Sequence, residues 1–152
     1  MNKRSIQIQH LNQKLQTLSV LRKVNFPEKG WIHAIRNALG MSASQLGKKL
    51  AITRQGVVDM EARESEGSVS IRTLREAAKA LNMELVYGFI PIDNSINDLI
   101  DRRSKELALE IVQRTSVTMQ LEGQGISSEQ MQNAIRESSE QIKRELPKAL
   151  WD

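Results

Sequence analysis

Apolar residues recur at intervals of three and four along most of the chain, which is the spacing of a helix with one buried face. The pattern predicts helices in 1–24, 31–39, two within 41–63, 70–81, 94–122 and 127–146. Residues 83–90, MELVYGFI, instead alternate between apolar and other positions, which predicts a short strand. The expected fold class is therefore mainly α, with a short strand and a C-terminal helical hairpin.

The predicted N-terminal helix has a single apolar stripe, formed by Ile8, Leu11, Leu15, Leu18 and Leu21 or Val20. A helix of this kind is not stable alone and must lie on another surface. That surface is either the rest of the same chain or a second copy, in which case residues 1–28 form a dimerisation arm. The sequence FPEKG after the helix interrupts the helical pattern and marks the first domain boundary.

Residues 41–63, MSASQLGKKLAITRQGVVDMEAR, predict two short helices joined by a tight turn. Ser42 and Thr53 can cap these helices, because a side-chain oxygen accepts hydrogen bonds from the N–H groups of a first turn. Only two residues, beginning with Ala51, separate the two helical segments, so the helices must cross steeply. Gly47 falls where they would touch, and its small size permits a close approach.

The spacing of Thr53, Val57 and Glu61 resembles the recognition helix of the phage-repressor-like (XRE) family of DNA-binding proteins. In that family a polar residue, three variable positions, Ile or Val, three more positions and Glu follow one another. Matching positions upstream are Trp31, Ile35, Arg36, Leu39, Gly40 and Leu46, and the family's fourth helix corresponds to residues 70–81. The resemblance implies a helix-turn-helix DNA-binding domain over residues 29–91.

One position departs from the XRE pattern. Ala51 stands where the family usually has Gly, a residue that adopts a positive φ without strain. Either Ala51 adopts that conformation at a cost of about 1 kcal/mol, or the turn differs slightly.

The resemblance implies that the second helix of the pair enters the major groove of DNA. Arg54, Gln55 and Asp59 are the candidate base contacts, because Arg suits guanine, Gln suits adenine and Asp accepts from cytosine. The candidate phosphate contacts are Thr53, Lys48, Lys49, Arg72 and Arg75. Each of these side chains could instead be an ordinary solvated polar residue.

The resemblance also implies an ion pair between Arg36 and Glu61, which would fix the angle between the first helix and the recognition helix. Arg36 could instead face DNA or solvent. Repressor modules usually bind as dimers to inverted half-sites, because one module buries too little surface for tight specific binding. The N-terminal stripe and the predicted strand are the two candidate dimer surfaces, so we expect a homodimer on an inverted-repeat operator.

The C-terminal region, residues 92–152, predicts two amphipathic helices separated by the sequence Gly-Gln-Gly. At the end of the first helix, Thr118, Glu122 and Gly123 resemble the inhibitory motif of Fic-protein antitoxins, which is Ser or Thr, three residues, Glu, then Gly or Asn. The resemblance implies that Glu122 pairs with the Arg that holds the γ-phosphate of ATP in a Fic enzyme. The alternative is a helix that ends in a solvated Glu before a Gly cap.

The whole chain resembles the mobile mystery protein A family, whose members have an XRE-type domain and are encoded beside a Fic-domain protein. Front-half positions, the stretch MELVYGFIP and the tail ELPKALWD carry this resemblance. This resemblance carries no mechanism of its own. The XRE-like and Fic-antitoxin-like motifs together imply a regulator that represses its own operon and acts as the antitoxin of a Fic-type AMP-transferase. The alternative is a plain dimeric repressor whose C-terminal helices serve only for dimerisation.

The charge is uneven along the chain. Residues 1–91 contain 14 Lys and Arg against 7 Asp and Glu, whereas residues 92–152 contain 8 against 11. A basic front half suits a polyanionic partner such as DNA, and an acidic back half indicates a different role.

The composition excludes several classes of function. The chain has no Cys, which excludes disulfides and suits a reducing cytoplasm, and no apolar run is long enough to span a membrane. No phosphate-binding loop, metal-ligand spacing or His and carboxylate cluster is present. We therefore expect neither enzymatic activity nor a metal or other cofactor.

Overall fold

The computed structural model describes residues 2–121, 123 and 127–152, which divide into two compact units. The described α-helices are α1 (Lys3–Leu18), α2 (Trp31–Ala38), α3 (Ala43–Leu50), α4 (Arg54–Glu66), α5 (Ile71–Ala80), α6 (Ile96–Leu121) and α7 (Ser128–Glu145). Two 3-10 turns, Ser19–Lys23 and Lys148–Trp151, complete the helical structure. The prediction of a mainly α fold is confirmed.

The first unit comprises Leu21–Gly88 and contains α2 to α5 around a small aliphatic core. Its buried apolar side chains are Ile32, Leu46, Val57, Met60, Ala77 and Leu81. Ser42 and Thr53 cap α3 and α4 as the sequence predicts, each accepting a hydrogen bond from the backbone N–H three residues later, and Ser70 caps α5 in the same way. Ser42 also forms a capping box with Gln45.

The turn between α3 and α4 places Ala51 in the left-handed conformation, which is costly for a residue with a Cβ. Ala51 has φ 55° and ψ 39°, in the left-handed region. The turn is therefore the one that the XRE pattern implies, with the strain carried by an Ala. Gly47 permits it, because a Cβ at this position would lie 2.7 Å from the carbonyl oxygen of Ile52.

The predicted strand at 83–90 is wrong, since the described part of the chain contains no strand. A strand needs a neighbouring strand to accept its backbone hydrogen bonds, and the described residues offer no second strand. The apolar side chains of the segment are largely exposed, with Val86 at 70% and Phe89 at 84%. The alternation of apolar residues therefore does not mark one buried face here.

The second unit comprises Met1–Val20 and Phe89–Asp152. Here α6 and α7 pack against each other, and α6 buries Ile100, Ser104, Ala108, Val112 and Ser116, which recur every four residues. The C-terminal 3-10 turn contributes Leu150, which is fully buried. Arg103 fixes this turn, since its Nη2 donates to the carbonyl oxygen of Leu150 at 2.8 Å.

Helix α1 packs on α6 within the second unit. Of the stripe residues within α1, Ile8, Leu15 and Leu18 are half-buried, whereas Leu11 is 47% exposed. The side chain of Asn12 accepts a hydrogen bond from the N–H of Ile96 at 2.8 Å. This amide thereby satisfies one of the unpaired donors at the start of α6. No described helix is both long and apolar enough to cross a membrane.

Candidate nucleic-acid interface

One face of α4 is directed to solvent while the other is buried. The exposed side chains near its N-terminus are Thr53, Arg54, Gln55, Val58 and Asp59, and the buried ones are Val57, Met60 and Glu61. The three residues that the sequence offers as base contacts therefore lie on one exposed face. An exposed helix N-terminus of this kind can enter a major groove, where side chains reach base edges.

Two of these side chains are joined on the helix surface. Nε2 of Gln55 donates to Oδ1 of Asp59 at 2.9 Å. An amide has two N–H groups and one acceptor oxygen, so the second N–H and the oxygen can still meet a base edge. Asp59 therefore orients the amide of Gln55 on the surface of α4.

The candidate phosphate contacts come from three elements: the last turn of α3, the N-cap of α4, and α5. Lys48 and Lys49 are exposed in the last turn of α3, where cations are also favoured by the helix dipole. Thr53 uses its hydroxyl oxygen to accept the N–H of Gly56 at 3.0 Å, which leaves the hydroxyl hydrogen to donate.

The two arginines of α5 differ from each other in their surroundings. The side chain of Arg72 is 91% exposed and its Nε lies 3.6 Å from Oε1 of Glu76, a weak surface pair. Arg75 contacts Tyr87, with its guanidinium 5.8 Å from the ring centre and Nη2 3.4 Å from the hydroxyl. Arg75 is therefore the more constrained of the two cations.

The structure brings Arg36 and Glu61 together in a nearly buried ion pair between α2 and α4. Nε of Arg36 donates to Oε1 of Glu61 at 2.6 Å and Nη2 donates to Oε2 at 3.1 Å. Nη1 of Arg36 also donates to the carbonyl oxygen of Met41 at 2.9 Å. The side chains are only 11% and 8% exposed, so Arg36 does not face solvent.

The pKa values of this pair shift in the directions that favour the charged forms. The hydrogen bond to Glu61 raises the pKa of Arg36, against the opposing effect of burial. Burial raises the pKa of Glu61, but hydrogen bonds from Arg36 and His33 outweigh it, and the net pKa lies below the ordinary value. Both groups therefore stay ionised at neutral pH, and the pair links α2 to the recognition helix.

Glu64 supplies a second link that sequence reasoning missed. Its carboxylate accepts the N–H groups of Trp31 at 2.9 Å and Ile32 at 2.8 Å, and so caps the start of α2 from α4. The predicted end of the recognition helix at residue 63 is wrong, because α4 continues to Glu66. The available signal was the spacing of Glu61 and Glu64, since residues three apart share a helix face.

The Fic-like motif lies in the second unit, at the end of α6. Thr118 is exposed and its hydroxyl donates to the carbonyl oxygen of Arg114 at 3.1 Å. Gly123 has φ 78°, a conformation that suits glycine after a helix end. Glu122 lies outside the described residues. Helix α7 follows, with Ser127 forming a capping box.

A helix-turn-helix family model matches residues 32–87, a range that spans α3, α4, α5 and nearly all of α2. Residues 32–87 are thus an XRE-type helix-turn-helix domain, and the match supports a DNA-binding transcription regulator. The chain matches no curated protein and no solved structure.

Proposed function

We propose that α4 reads operator DNA through Arg54, Gln55 and Asp59. The observation that carries this proposal is the exposed N-terminal face of α4 on a helix whose other face is tied to α2 by Glu61 and Glu64. A recognition helix must hold its side chains in register with base edges, and two carboxylate links to a neighbouring helix provide that rigidity. Arg54 matches guanine O6 and N7, and Gln55 matches adenine N6 and N7.

The surrounding cations supply the sequence-independent part of the affinity. Their proposed partners are backbone phosphates, with Lys48, Lys49, Arg72, Arg75 and the hydroxyl of Thr53 as donors. Each Lys or Arg that neutralises a phosphate releases counterions, so binding weakens as salt rises. The protein acts in the cytoplasm as a homodimer on an inverted-repeat operator and represses its own operon.

The DNA proposal is tested by selection from a random duplex library with the full chain. The expected result is one enriched inverted repeat whose bound form contains two copies of the protein. Arg54→Ala and Gln55→Ala should then each relax the preference at one position of each half-site, by about 1–3 kcal/mol. Enrichment of no sequence, or unchanged preferences in both variants, contradicts base reading by α4.

The second part of the proposal assigns the C-terminal region to inhibition of a Fic-type AMP-transferase. Thr118 and Gly123 are the first and last residues of the motif and have a suitable setting, because Thr118 is exposed and Gly123 turns the chain after α6. Val117 and Leu121 on the same helix end are 56% and 84% exposed, which suits burial against a partner. Glu122 is the carboxylate that pairs with the partner's phosphate-binding Arg.

The test combines the protein with the Fic-domain protein encoded beside it and measures AMP transfer. Wild type should bind and silence transfer, whereas Glu122→Ala should bind without silencing. Glu137→Ala is the matched control, since Glu137 is an exposed carboxylate on α7. Equal silencing by wild type and Glu122→Ala, or no binding at all, favours the alternative of a plain dimeric repressor whose C-terminal helices serve only for dimerisation.

A further inference from the structure

His33 on α2 contacts the buried carboxylate that joins α2 to the recognition helix. Its Nδ1 lies 2.9 Å from Oε2 of Glu61, and its other ring nitrogen, Nε2, lies 2.9 Å from Nδ2 of Asn37. Neither His33 nor Asn37 belongs to the ion pair that the XRE resemblance implies. Both lie on α2 close to Arg36, and His33 precedes Arg36 by three residues, so the two share the face directed at α4.

Asn37 determines which ring nitrogen of His33 carries the proton. The Nδ2 group of an amide can only donate, so Nε2 of His33 accepts and the proton of the neutral ring lies on Nδ1. Nδ1 then donates to Oε2 of Glu61. Nη2 of Arg36 lies 3.4 Å from the same Nδ1, which is a neighbouring contact because a protonated Nδ1 cannot accept it.

The hydrogen bonds to the carboxylate of Glu61 show what the Nδ1–H of His33 contributes. Oε1 accepts a short hydrogen bond from Nε of Arg36 at 2.6 Å, while Oε2 accepts a longer one from Nη2 of Arg36 at 3.1 Å. The contact of His33 to Oε2, at 2.9 Å, is shorter than that of Arg36 to the same atom. Glu61 is buried, and a buried carboxylate oxygen is costly unless its hydrogen bonds are satisfied.

We propose that His33, oriented by Asn37, is a positioning residue for DNA recognition: its Nδ1–H fixes the carboxylate of Glu61 and thereby the setting of α4. The inference rests on the proposed reading of DNA by α4. Glu61 follows Arg54 by seven residues, about 10 Å along a helix, so a change of tilt or rotation at Glu61 displaces the base-facing side chains.

Displacement of α4 has different consequences for specific and non-specific DNA. Base recognition depends on hydrogen-bond geometry, whereas attraction to phosphates tolerates small shifts. Loss of the His33 donor should therefore weaken binding to the operator more than binding to unrelated duplex. The dependence on salt should stay unchanged, because no phosphate contact is removed.

The experiment titrates full-length proteins with two fluorescent duplexes by anisotropy at several salt concentrations. One duplex is the sequence that wild type selects from a random library, and the other is a scrambled sequence of equal length. The variants are His33→Ala, His33→Leu, which keeps volume without a donor, and His33→Asn, whose Nδ2 stands close to the position of Nδ1. His10→Ala is the matched control, because His10 is exposed on α1 in the other unit.

We expect His33→Ala and His33→Leu to lose about tenfold in affinity for the selected duplex, the scale of one hydrogen bond to a charged group. Affinity for the scrambled duplex and the salt dependence should match wild type. His33→Asn should recover most of the loss, and His10→Ala should behave as wild type. If His33→Ala fails to fold, His33→Leu and His33→Asn still make the comparison.

Four results overturn the inference alone: unchanged affinity in His33→Ala and His33→Leu, equal losses on both duplexes, no recovery in His33→Asn, or a shallower salt dependence. The last would identify His33 as a direct phosphate contact instead. A wild-type protein that selects no duplex overturns the proposed DNA reading, and this inference with it.

Discussion

Gly30 and Glu64 meet where α2 begins. The carboxylate of Glu64 has room there because Gly30 lacks a Cβ. A Cβ on Gly30 would lie 2.7 Å from Oε1 of Glu64, the atom that accepts the N–H of Ile32. Gly30 also has φ 88°, in the region that side chains rarely adopt. The glycine at this boundary therefore serves the cap on α2 as well as the turn of the chain.

Gly30→Ala should destabilise the helix-turn-helix unit by about 2–3 kcal/mol, from the strained φ together with displacement of the Glu64 cap. Gly67→Ala is a matched control, since Gly67 has φ 84° but a Cβ added there would meet no described atom within 4 Å. It should lose only the conformational part, about 1 kcal/mol. Urea unfolding in a Trp151→Phe background measures this, because Trp31 then reports on the first unit alone.

Equal losses in Gly30→Ala and Gly67→Ala would show that Glu64 moves aside without cost. A double variant tests the same point from the other side. Once Glu64→Ala has removed the cap, adding Gly30→Ala should lower the free energy of unfolding by no more than Gly67→Ala does. The effects of Gly30→Ala and Glu64→Ala should therefore not be additive.

Ala51→Gly should stabilise the same unit. Ala51 has φ 55° and ψ 39°, and glycine adopts this conformation without the penalty of a Cβ, although it gains entropy in the unfolded chain. The net gain should be about 0.5–1 kcal/mol. Ala62→Gly is the matched control, because Ala62 is exposed within α4, and it should destabilise by a similar amount. Loss of stability in both variants would contradict the argument.

The helix-turn-helix unit was predictable from sequence because its signals are local. Apolar spacing placed the helices, and Ser42 and Thr53 marked helix starts through hydrogen bonds within three residues. The role of Glu64 was not predictable in the same way, since its partners lie 32 and 33 residues away along the chain.

The predicted strand at 83–90 failed for a related reason. Alternation of apolar residues describes one segment, whereas a strand exists only with a partner whose identity the segment does not encode. The contact of His33 with Glu61 is present but was not predicted, because a polar residue on an amphipathic helix gives no sign of the buried carboxylate that it meets.

Asp59 should influence the base that Gln55 reads. Because Oδ1 of Asp59 holds Nε2 of Gln55, Asp59→Ala should relax the preference at the Gln55 position as well as at any base that Asp59 itself contacts. The expected loss of discrimination is about 1–3 kcal/mol at a contacted base pair. Binding to duplexes substituted one position at a time measures it, and Asp59→Asn, which retains Oδ1, is the conservative comparison.

A double-mutant cycle separates the two roles of Asp59. If Asp59 acts through Gln55, then Asp59→Ala should have little further effect at the Gln55 position once Gln55→Ala is present. Additive effects of the two substitutions at that position would mean that the surface hydrogen bond has no part in base reading.

The stability of the helix-turn-helix unit should depend on pH through Glu61. Hydrogen bonds from Arg36 and His33 hold the folded-state pKa of Glu61 below its ordinary value, despite the opposing effect of burial. A depressed carboxyl pKa contributes stability that is fully present above the unfolded-state pKa, about 4.3, and is lost as pH falls through the folded-state pKa. Wild type should therefore lose free energy of unfolding more steeply than Glu61→Gln below about pH 5.

The comparison of these two proteins isolates Glu61 from the other shifted carboxylates. Asp93, Asp101 and Glu106 also have lowered pKa values from hydrogen bonds to Arg or Lys, but they lie in the second unit and are unchanged in Glu61→Gln. At pH 7 the variant should be less stable by about 3–5 kcal/mol, because Arg36 keeps a buried charge without its carboxylate. Urea unfolding of both proteins in the Trp151→Phe background, followed by Trp31 fluorescence between about pH 3 and 7, decides the matter. Parallel curves for the two proteins would exclude Glu61 as the titrating group.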